Sequence, residues 1–157
     1  MIEERRLYYD LTNDWGILPK FLEYFEKEAS EAKSSDLVMV GRIETLSSKL
    51  PTLMDKRFTQ LQILNAAIEY FEKELDKIRS KLYRKYLENY QKSLSSRDVE
   101  KYVNGEGEVV DVSLIINEIS LMRNIFISIT KSIDAKSFQI NNITKLRAAG
   151  LDDATID

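Results

Sequence analysis

The fold is decided by the stretch between residues 61 and 82, which reads LQILNAAIEYFEKELDKIRSKL. Its large apolar residues recur at alternating spacings of three and four, which is the heptad pattern of a coiled-coil seam. The seam consists of Leu61, Leu64, Ile68, Phe71, Leu75, Ile78 and Leu82. Pro51 fits the first turn of a helix and is excluded from a helix interior. The pattern therefore predicts a long helix from residue 52 to about 93, roughly 60 Å in length at 1.5 Å per residue.

A second long helix is predicted after a break in the pattern. The segment 95–98 offers capping side chains, residues 99–103 suit a short helical turn, and the segment 104–107, Asn-Gly-Glu-Gly, suits a flexible turn. Asp111 is then expected to cap the second helix, and Gly150 to close it. This helix carries a seam of Val112, Ile115, Ile119, Met122, Phe126, Ile129, Ile133, Ile140 and Ile143, with Lys136 in the one skipped place.

The region before the first seam predicts smaller elements. A spacing of three and four in Leu18, Phe21, Leu22 and Phe25 predicts one short helix, and the segment 34–36 and Gly41 resemble joints. The expected fold class is all-α, with two long helices in a helical hairpin or coiled-coil-like bundle and a smaller N-terminal helical segment. The expected organisation is an N-terminal extension over 1–45, a core over 46–150 and an acidic tail over 151–157.

The second long helix is more apolar than one contact face requires. Its apolar surface extends beyond the seam to Ile116, Leu121, Ile125 and Ile127. We expect such a helix to associate with further copies of the chain through Ile115, Ile119, Met122, Phe126, Ile129 and Ile133. The alternative is that both long helices pack on each other within one chain, and this hairpin is compatible with association through a second face.

Composition argues against a catalytic or metal-binding protein. The 157 residues include no histidine and no cysteine, which removes the commonest general base, the usual transition-metal ligands and the usual nucleophile pairs. We therefore expect no enzyme, no catalytic residue, no metal and no cofactor. The charged start of the chain lacks a secretory apolar run, and no stretch reaches about 18 apolar residues. A cytoplasmic protein without a membrane partner is expected.

The charge of the chain is unevenly distributed. The net charge is −3, from 23 basic and 26 acidic side chains. The segment 77–92 runs against this balance, since its only acidic residue is Glu88 and its basic residues are Lys77, Arg79, Lys81, Arg84, Lys85 and Lys92. Tyr83, Tyr86 and Tyr90 alternate with these cations. We call the six cations the basic stripe.

Cations alternating with aromatic rings suit single-stranded nucleic acid, because cations follow the backbone charge and ring faces stack on bases. The predicted DNA-binding residues are Lys77, Arg79, Lys81, Arg84, Lys85, Tyr86, Tyr90 and Lys92. The alternative is an ordinary solvated helix face whose tyrosines flank a core. A second basic group, made of Lys131, Lys136, Lys145 and Arg147, suits the negative end of a helix dipole and is left open as a DNA contact.

Four stretches of the chain carry a further pattern. In order, they read SSKLPTLMDKRF (47–58), LYRKYLENY (82–90), DVEKYV (98–103) and SIDAKSFQINNI (132–143), the last followed by Lys145-Leu-Arg147. Together they resemble the recombination mediators of tailed phages, the UvsY type. The first is similar to the family's start of a long helix, the second to its basic segment with tyrosines, the third to a characteristic turn, and the fourth to its C-terminal signature. The resemblance covers about residues 46–149.

The resemblance implies a helical homo-oligomer that binds single-stranded DNA. It implies contacts with a RecA-like recombinase and with the single-stranded-DNA-binding protein. The mediator would help the recombinase to replace that protein on the DNA. It places DNA-contacting cations near Arg84 and Lys85 and an aromatic residue at Tyr90. The chain departs from the family in having Gln91 where a glycine usually follows the tyrosines. The location would be the host cytoplasm if the chain is phage-encoded.

A second interpretation belongs to a different class of protein. Two heptad seams are also typical of a structural or assembly coiled-coil protein that binds only other proteins. Such a protein would assemble without affinity for DNA.

Overall fold

The architecture is helical throughout the residues that a computed structural model describes, 3–89 and 94–150, as the sequence predicts. Within these ranges there are five α-helices, namely α1 (Glu3–Asn13), α2 (Leu18–Glu31), α3 (Ile43–Asn89), α4 (Ser96–Gly105) and α5 (Gly107–Ala148). A 3₁₀ turn at Trp15–Ile17 joins α1 to α2, and a π-helical turn at Ala32–Asp36 follows α2.

The two long helices, α3 and α5, pack on each other in opposite directions. Near the end of α3, the Tyr86 hydroxyl donates a hydrogen bond to Glu106, which directly precedes α5. Near the start of α3, Arg57 binds the carboxylate of Asp36, whose carbonyl accepts a hydrogen bond from Lys136 towards the end of α5. The buried seam residues are Leu61, Leu64, Ile68, Phe71 and Leu75 on α3, and Val112, Ile119, Met122, Phe126, Ile129, Ile133 and Ile140 on α5. The predicted hairpin is present within the chain.

Residues 3–36 belong to the same core as the hairpin. Leu7 and Leu11 of α1 and Phe21 and Phe25 of α2 are buried against it, and the rings of Phe25 and Phe126 meet edge to face at 5.5 Å. The sequence predicted α2 but not α1, because α1 offers only two core residues among polar neighbours. The segment predicted as an extension over 1–45 therefore contributes directly to the core.

Two predicted helix starts are wrong. Helix α3 begins at Ile43 and continues through Pro51. Proline has no backbone N–H, so the carbonyl four residues earlier receives no helical hydrogen bond. Pro51 is exposed, so water can satisfy that carbonyl, while Leu46 and Leu50 are half-buried and favour continuing the helix. Helix α5 begins at Gly107 rather than at an Asp111 cap, because the single extended residue Glu106 makes the whole joint with α4.

Three smaller predictions are confirmed. Ser95 caps α4, accepting a hydrogen bond from the backbone N–H of Asp98 at 3.3 Å. Gly150 follows α5 with a φ of +77°, and Gly41 takes a φ of +122° in the loop before α3. These positive angles favour glycine, which lacks the Cβ that makes them unfavourable. The predicted end of the first long helix near residue 93 lies outside the described residues.

A buried polar network joins the N-terminal helices to α3. Arg57 is 0% exposed, and its guanidinium donates to Asp36 at 2.7 Å and to Glu28 at 2.6 Å. Gln60, one turn later, accepts from Arg57 at 3.0 Å and donates to Glu28 at 2.8 Å and to Glu4 at 3.2 Å. Buried charges require such partners, since an unpaired one loses its hydration without compensation.

Lys136 fastens α5 to the loop that follows the π-helical turn. It occupies the skipped seam position and is buried, and its ammonium donates to the carbonyls of Asp36 at 2.6 Å and Val38 at 2.8 Å. Burial lowers the pKa of Lys136 below its ordinary value, against the opposing attraction of Asp36. Asp36 is thus held by α3 through its carboxylate and by α5 through its carbonyl.

Arg57→Ala is expected to lower the free energy of unfolding by about 3 to 5 kcal/mol, because it leaves the buried Asp36 carboxylate without its ion-pair partner. Lys56→Ala is the matched control, since Lys56 also binds Glu28 but its side chain is 38% exposed. The control should lose less than about 1 kcal/mol. Urea unfolding followed by circular dichroism measures both, and equal losses would contradict the role of the network.

The network also predicts how stability depends on pH. Burial raises the pKa of Glu28, but hydrogen bonds from Lys56, Gln60 and Arg57 outweigh it and hold that pKa below its ordinary value. The unfolded value is about 4.3, so the ionised carboxylate stabilises the fold above that pH and the contribution is lost as the pH falls through the folded-state pKa. Urea unfolding below about pH 4.3 should show a steeper loss for the wild type than for Glu28→Gln. Parallel curves would contradict this.

Candidate functional site

The end of α3 is one of the less covered parts of the hairpin. Buried side chains of α3 stop at Leu75, and the next two seam residues, Ile78 and Leu82, are only half-buried. The short helix α4 packs there instead of α1 and α2. Polar side chains of this segment consequently face solvent on most sides of the helix.

The first five cations of the basic stripe lie on this uncovered segment. Lys77, Arg79, Lys81, Arg84 and Lys85 are all exposed, whereas Tyr90 and Lys92 lie outside the described residues. Glu74 binds Lys77 and raises the pKa of its ammonium. For the other four cations, no ion pair exists within the ranges 3–89 and 94–150. They are available to an external anion.

The stripe has two faces. Lys77, Lys81 and Arg84 follow each other at spacings of four and three, which places them on one face of α3 pointing away from the seam. Arg79 lies on the flank towards α4, together with Tyr83 four residues later. The stripe therefore offers a row of charge on the outside and a cation with an aromatic ring on the α4 side.

Tyr86 contacts the protein itself. The ring is half-buried and stacks on Tyr102 of α4 with 5.7 Å between ring centroids, while its hydroxyl binds Glu106. These contacts hold α4 and the start of α5 against α3. Of the tyrosines in this segment that the structure describes, Tyr83 is the one that lines an open cleft.

A cleft of about 660 Å³ lies between α3 and α4. We call it the α3–α4 cleft, and its lining residues are Arg79, Ser80, Tyr83, Arg84, Leu87, Glu100, Val103 and Asn104. The sequence offered no signal for the α4 residues of this group, because their proximity to α3 depends on the one-residue joint at Glu106. A volume of this size is typical of small-ligand sites.

Carboxylates limit the positive surface on the other flank. A second concavity of about 670 Å³ is lined by Lys81, Arg84 and Lys85 but also by Glu88, Glu106 and Glu108. The joint between α4 and α5 thus places Glu106 and Glu108 beside the basic stripe. The sequence pattern could not predict this proximity. The outer face of α3 carries Lys77, Lys81 and Arg84, with Asp76 as the one acidic residue that lines the same concavity.

The second basic group does not extend this surface. Lys136 is buried, and Lys131, Lys145 and Arg147 are exposed near the end of α5. Because α3 and α5 run in opposite directions, the end of α5 lies near the start of α3 and far from the basic stripe. The two groups are separate.

Most residues predicted to mediate association face the chain's own core. Ile119, Met122, Phe126, Ile129 and Ile133 are 6% exposed or less, and Ile115 is half-buried. These buried residues are therefore not accessible to a second copy of the chain. The exposed large apolar residues on the first half of α5 are Val110 at 43%, Leu114 at 55% and Leu121 at 67%. With spacings of four and seven, they form one row, which we call the α5 strip.

Helix α5 is also apolar enough to be compared with a membrane span. Among the described helices, α5 is the one that contains an 18-residue window of high hydropathy. The mean hydropathy of that window is 1.4, and 28% of the window is buried. Core helices of water-soluble proteins pass the same test of length and composition, and α5 forms one side of the hairpin core. The comparison identifies excess apolar surface on α5.

The described residues contain no group of three or more Asp and Glu side chains placed to hold a metal ion. No protein-family model, no curated protein and no solved structure matches this chain.

Proposed function

We propose that this chain is a single-stranded-DNA-binding recombination mediator, which helps a RecA-like recombinase to replace the single-stranded-DNA-binding protein on DNA. One observation carries the DNA-binding part: five exposed cations lie close together on the end of α3, and four of them lack an acidic partner within the described residues. The family resemblance supports the mediator role and the two protein partners.

The outer face of α3 suits a phosphate backbone. Lys77, Lys81 and Arg84 are separated along the helix axis by about 6 Å and then about 4.5 Å. Each cation that contacts a phosphate releases bound counterions, so the affinity of such a surface falls as the salt concentration rises. A single strand also exposes base faces, which a ring such as Tyr83 can stack on, whereas a duplex hides them. These features favour single-stranded DNA over duplex.

Association gives a weak surface the affinity that the function needs. The protein as a whole is acidic, with a net charge of −3, so one basic stripe binds a strand weakly. Several copies held in one particle convert later contacts with the same strand into intramolecular events. We place the contact between copies on the α5 strip, because Leu114 and Leu121 are the most exposed apolar residues in the first half of α5.

The second candidate is an assembly protein that binds only other proteins. The α5 strip favours it, since an apolar row on a helix is a docking surface for another helix whatever the protein does with DNA. This candidate predicts association at moderate salt with no retention of DNA. The two functions therefore differ in one measurable property, the affinity for an oligonucleotide.

Arg84→Ala combined with Lys85→Ala should weaken binding of a labelled oligo-dT measured by fluorescence anisotropy. Each phosphate contact with a single strand adds about 0.7 to the slope of log affinity against log salt, so the double variant should lose about 1.4 from that slope per engaged copy. Helicity should be unchanged, because both side chains are exposed.

The matched control is Lys20→Ala combined with Lys27→Ala, which removes two exposed cations from α2. It changes the net charge by the same amount but lies away from the stripe, so its salt slope should equal that of the wild type. Equal affinity and slope in all three proteins would overturn the DNA-binding assignment and leave the assembly function.

Replacing Leu114 and Leu121 together by serine should lower the mass measured by sedimentation equilibrium at micromolar concentration, because it removes the centre of the α5 strip. Phe138→Ser is the control, since Phe138 is 66% exposed on α5 but lies outside the strip. A wild-type protein that sediments only as an 18.3 kDa monomer would exclude association altogether.

A further inference from the structure

The α3–α4 cleft combines apolar and charged lining residues. Tyr83 and Leu87 lie one turn apart on α3, and Val103 of α4, only 4% exposed, faces them across the cleft. Tyr83 is half-buried, so part of its ring is held by the protein and part borders the open space. A flat ring is the shape that these apolar residues accommodate best.

Two arginines stand on either side of Tyr83 in the sequence of α3. Arg79 precedes Tyr83 by one helical turn and Arg84 follows it directly, and both line the same cleft. Neither forms an ion pair or a side-chain hydrogen bond in the part of the chain that the structure describes. A ligand with a flat ring between two anionic groups matches this order of side chains, and a nucleotide within a DNA strand has one phosphate on each side.

The α4 wall of the cleft carries a carboxylate. Glu100 and Asn104 are one turn apart on α4, flank Val103 and are exposed. Within the described residues neither side chain has a hydrogen-bond partner. A carboxylate repels phosphate but accepts hydrogen bonds from the amino groups of bases, as in the pairing of Glu or Asp with cytosine N4. The wall is therefore suited to the edge of a base.

We propose that the α3–α4 cleft receives one unstacked base of the bound strand, and that Glu100 selects bases with an exocyclic amino group over thymine. The inference rests on the proposed DNA-binding function and adds a base preference to it. Tyr83 stacks on the base, Arg79 and Arg84 bind the flanking phosphates, and the Glu100 carboxylate accepts a hydrogen bond from the amino group. Thymine has a carbonyl oxygen in place of this amino group, and the carboxylate repels that oxygen.

The test compares oligo-dC with oligo-dT of equal length, using the full chain and fluorescence anisotropy. Both strands are pyrimidine, so their bases are equal in ring size and differ in the exocyclic group, the N3 proton and the C5 methyl group. The wild type should bind oligo-dC about fivefold or more tightly than oligo-dT. Glu100→Gln should bring this ratio close to one, because the amide can also donate to the thymine carbonyl.

Asp111→Asn is the control for charge, since Asp111 is an exposed carboxylate of α5 outside the cleft. It removes the same negative charge, so it should leave the ratio of the two affinities as in the wild type. Tyr83→Leu should weaken binding of both strands, and Tyr83→Phe should restore it, because phenylalanine retains the stacking ring. Circular dichroism confirms that each variant is folded.

The outcomes separate the base preference from the proposed function. If both strands bind with equal affinity in the wild type, or if Glu100→Gln leaves an unequal ratio unchanged, the base preference is overturned while DNA binding stands. If Tyr83→Leu and Glu100→Gln both leave DNA binding unaltered, the cleft belongs to another occupant, such as an apolar side chain of a protein partner, and the inference is overturned. Failure of the wild type to bind either strand overturns the proposed function itself.

Discussion

Arg57 holds together the two parts of the molecule that the chain order separates. Its buried guanidinium binds Asp36, at the end of the N-terminal region, and Glu28 of α2, while the Asp36 carbonyl accepts a hydrogen bond from Lys136 of α5. Three helices and a loop are thus fixed at one end of the hairpin. Breaking one member of such a buried group leaves uncompensated charge, so the members depend on each other.

This arrangement explains why the opposite end of the hairpin is open. Helices α1 and α2 cover α3 on the Arg57 side and bury its seam as far as Leu75. Beyond that residue, the described elements that pack on α3 are the ten-residue α4 and the start of α5, which leaves five cations of the basic stripe in water and an open cleft beside Tyr83. The surface proposed to bind DNA consists of what the core leaves uncovered. An acidic protein can in this way present a locally basic surface.

Periodicity predicted the parts of the fold that depend on local sequence. The two seams, the Ser95 cap and the Gly150 terminus are each specified within a few residues, and the structure has them. The starts of α3 and α5 were wrong because an exposed proline can be tolerated within a helix when flanking leucines are partly buried, and because Glu106 alone makes the joint predicted over four residues. Neither fact is visible in a local pattern.

The site was only partly predictable for a related reason. The exposure of Lys77, Lys81 and Arg84 follows from their position on the face that points away from the seam, so the sequence could place them. The partners of Tyr86 and the approach of Glu100 to Tyr83 depend on where α4 lies, and the pairing of Arg57 with Asp36 joins residues 21 positions apart. The α5 seam was assigned to association because the sequence does not indicate that α2 and α3 already bury it.

The central claim is that single-stranded DNA lies along the outer face of the end of α3. Acetylation of lysines, quantified by mass spectrometry with and without oligo-dT, tests it most directly, because the exposed lysines of the chain are spread over separate surfaces. Lys77 and Lys81 should become protected when DNA is bound, whereas Lys20, Lys27 and Lys33 of the N-terminal region should react as before. Protection of the N-terminal lysines, or no protection at the end of α3 under conditions where DNA is bound, would contradict the account.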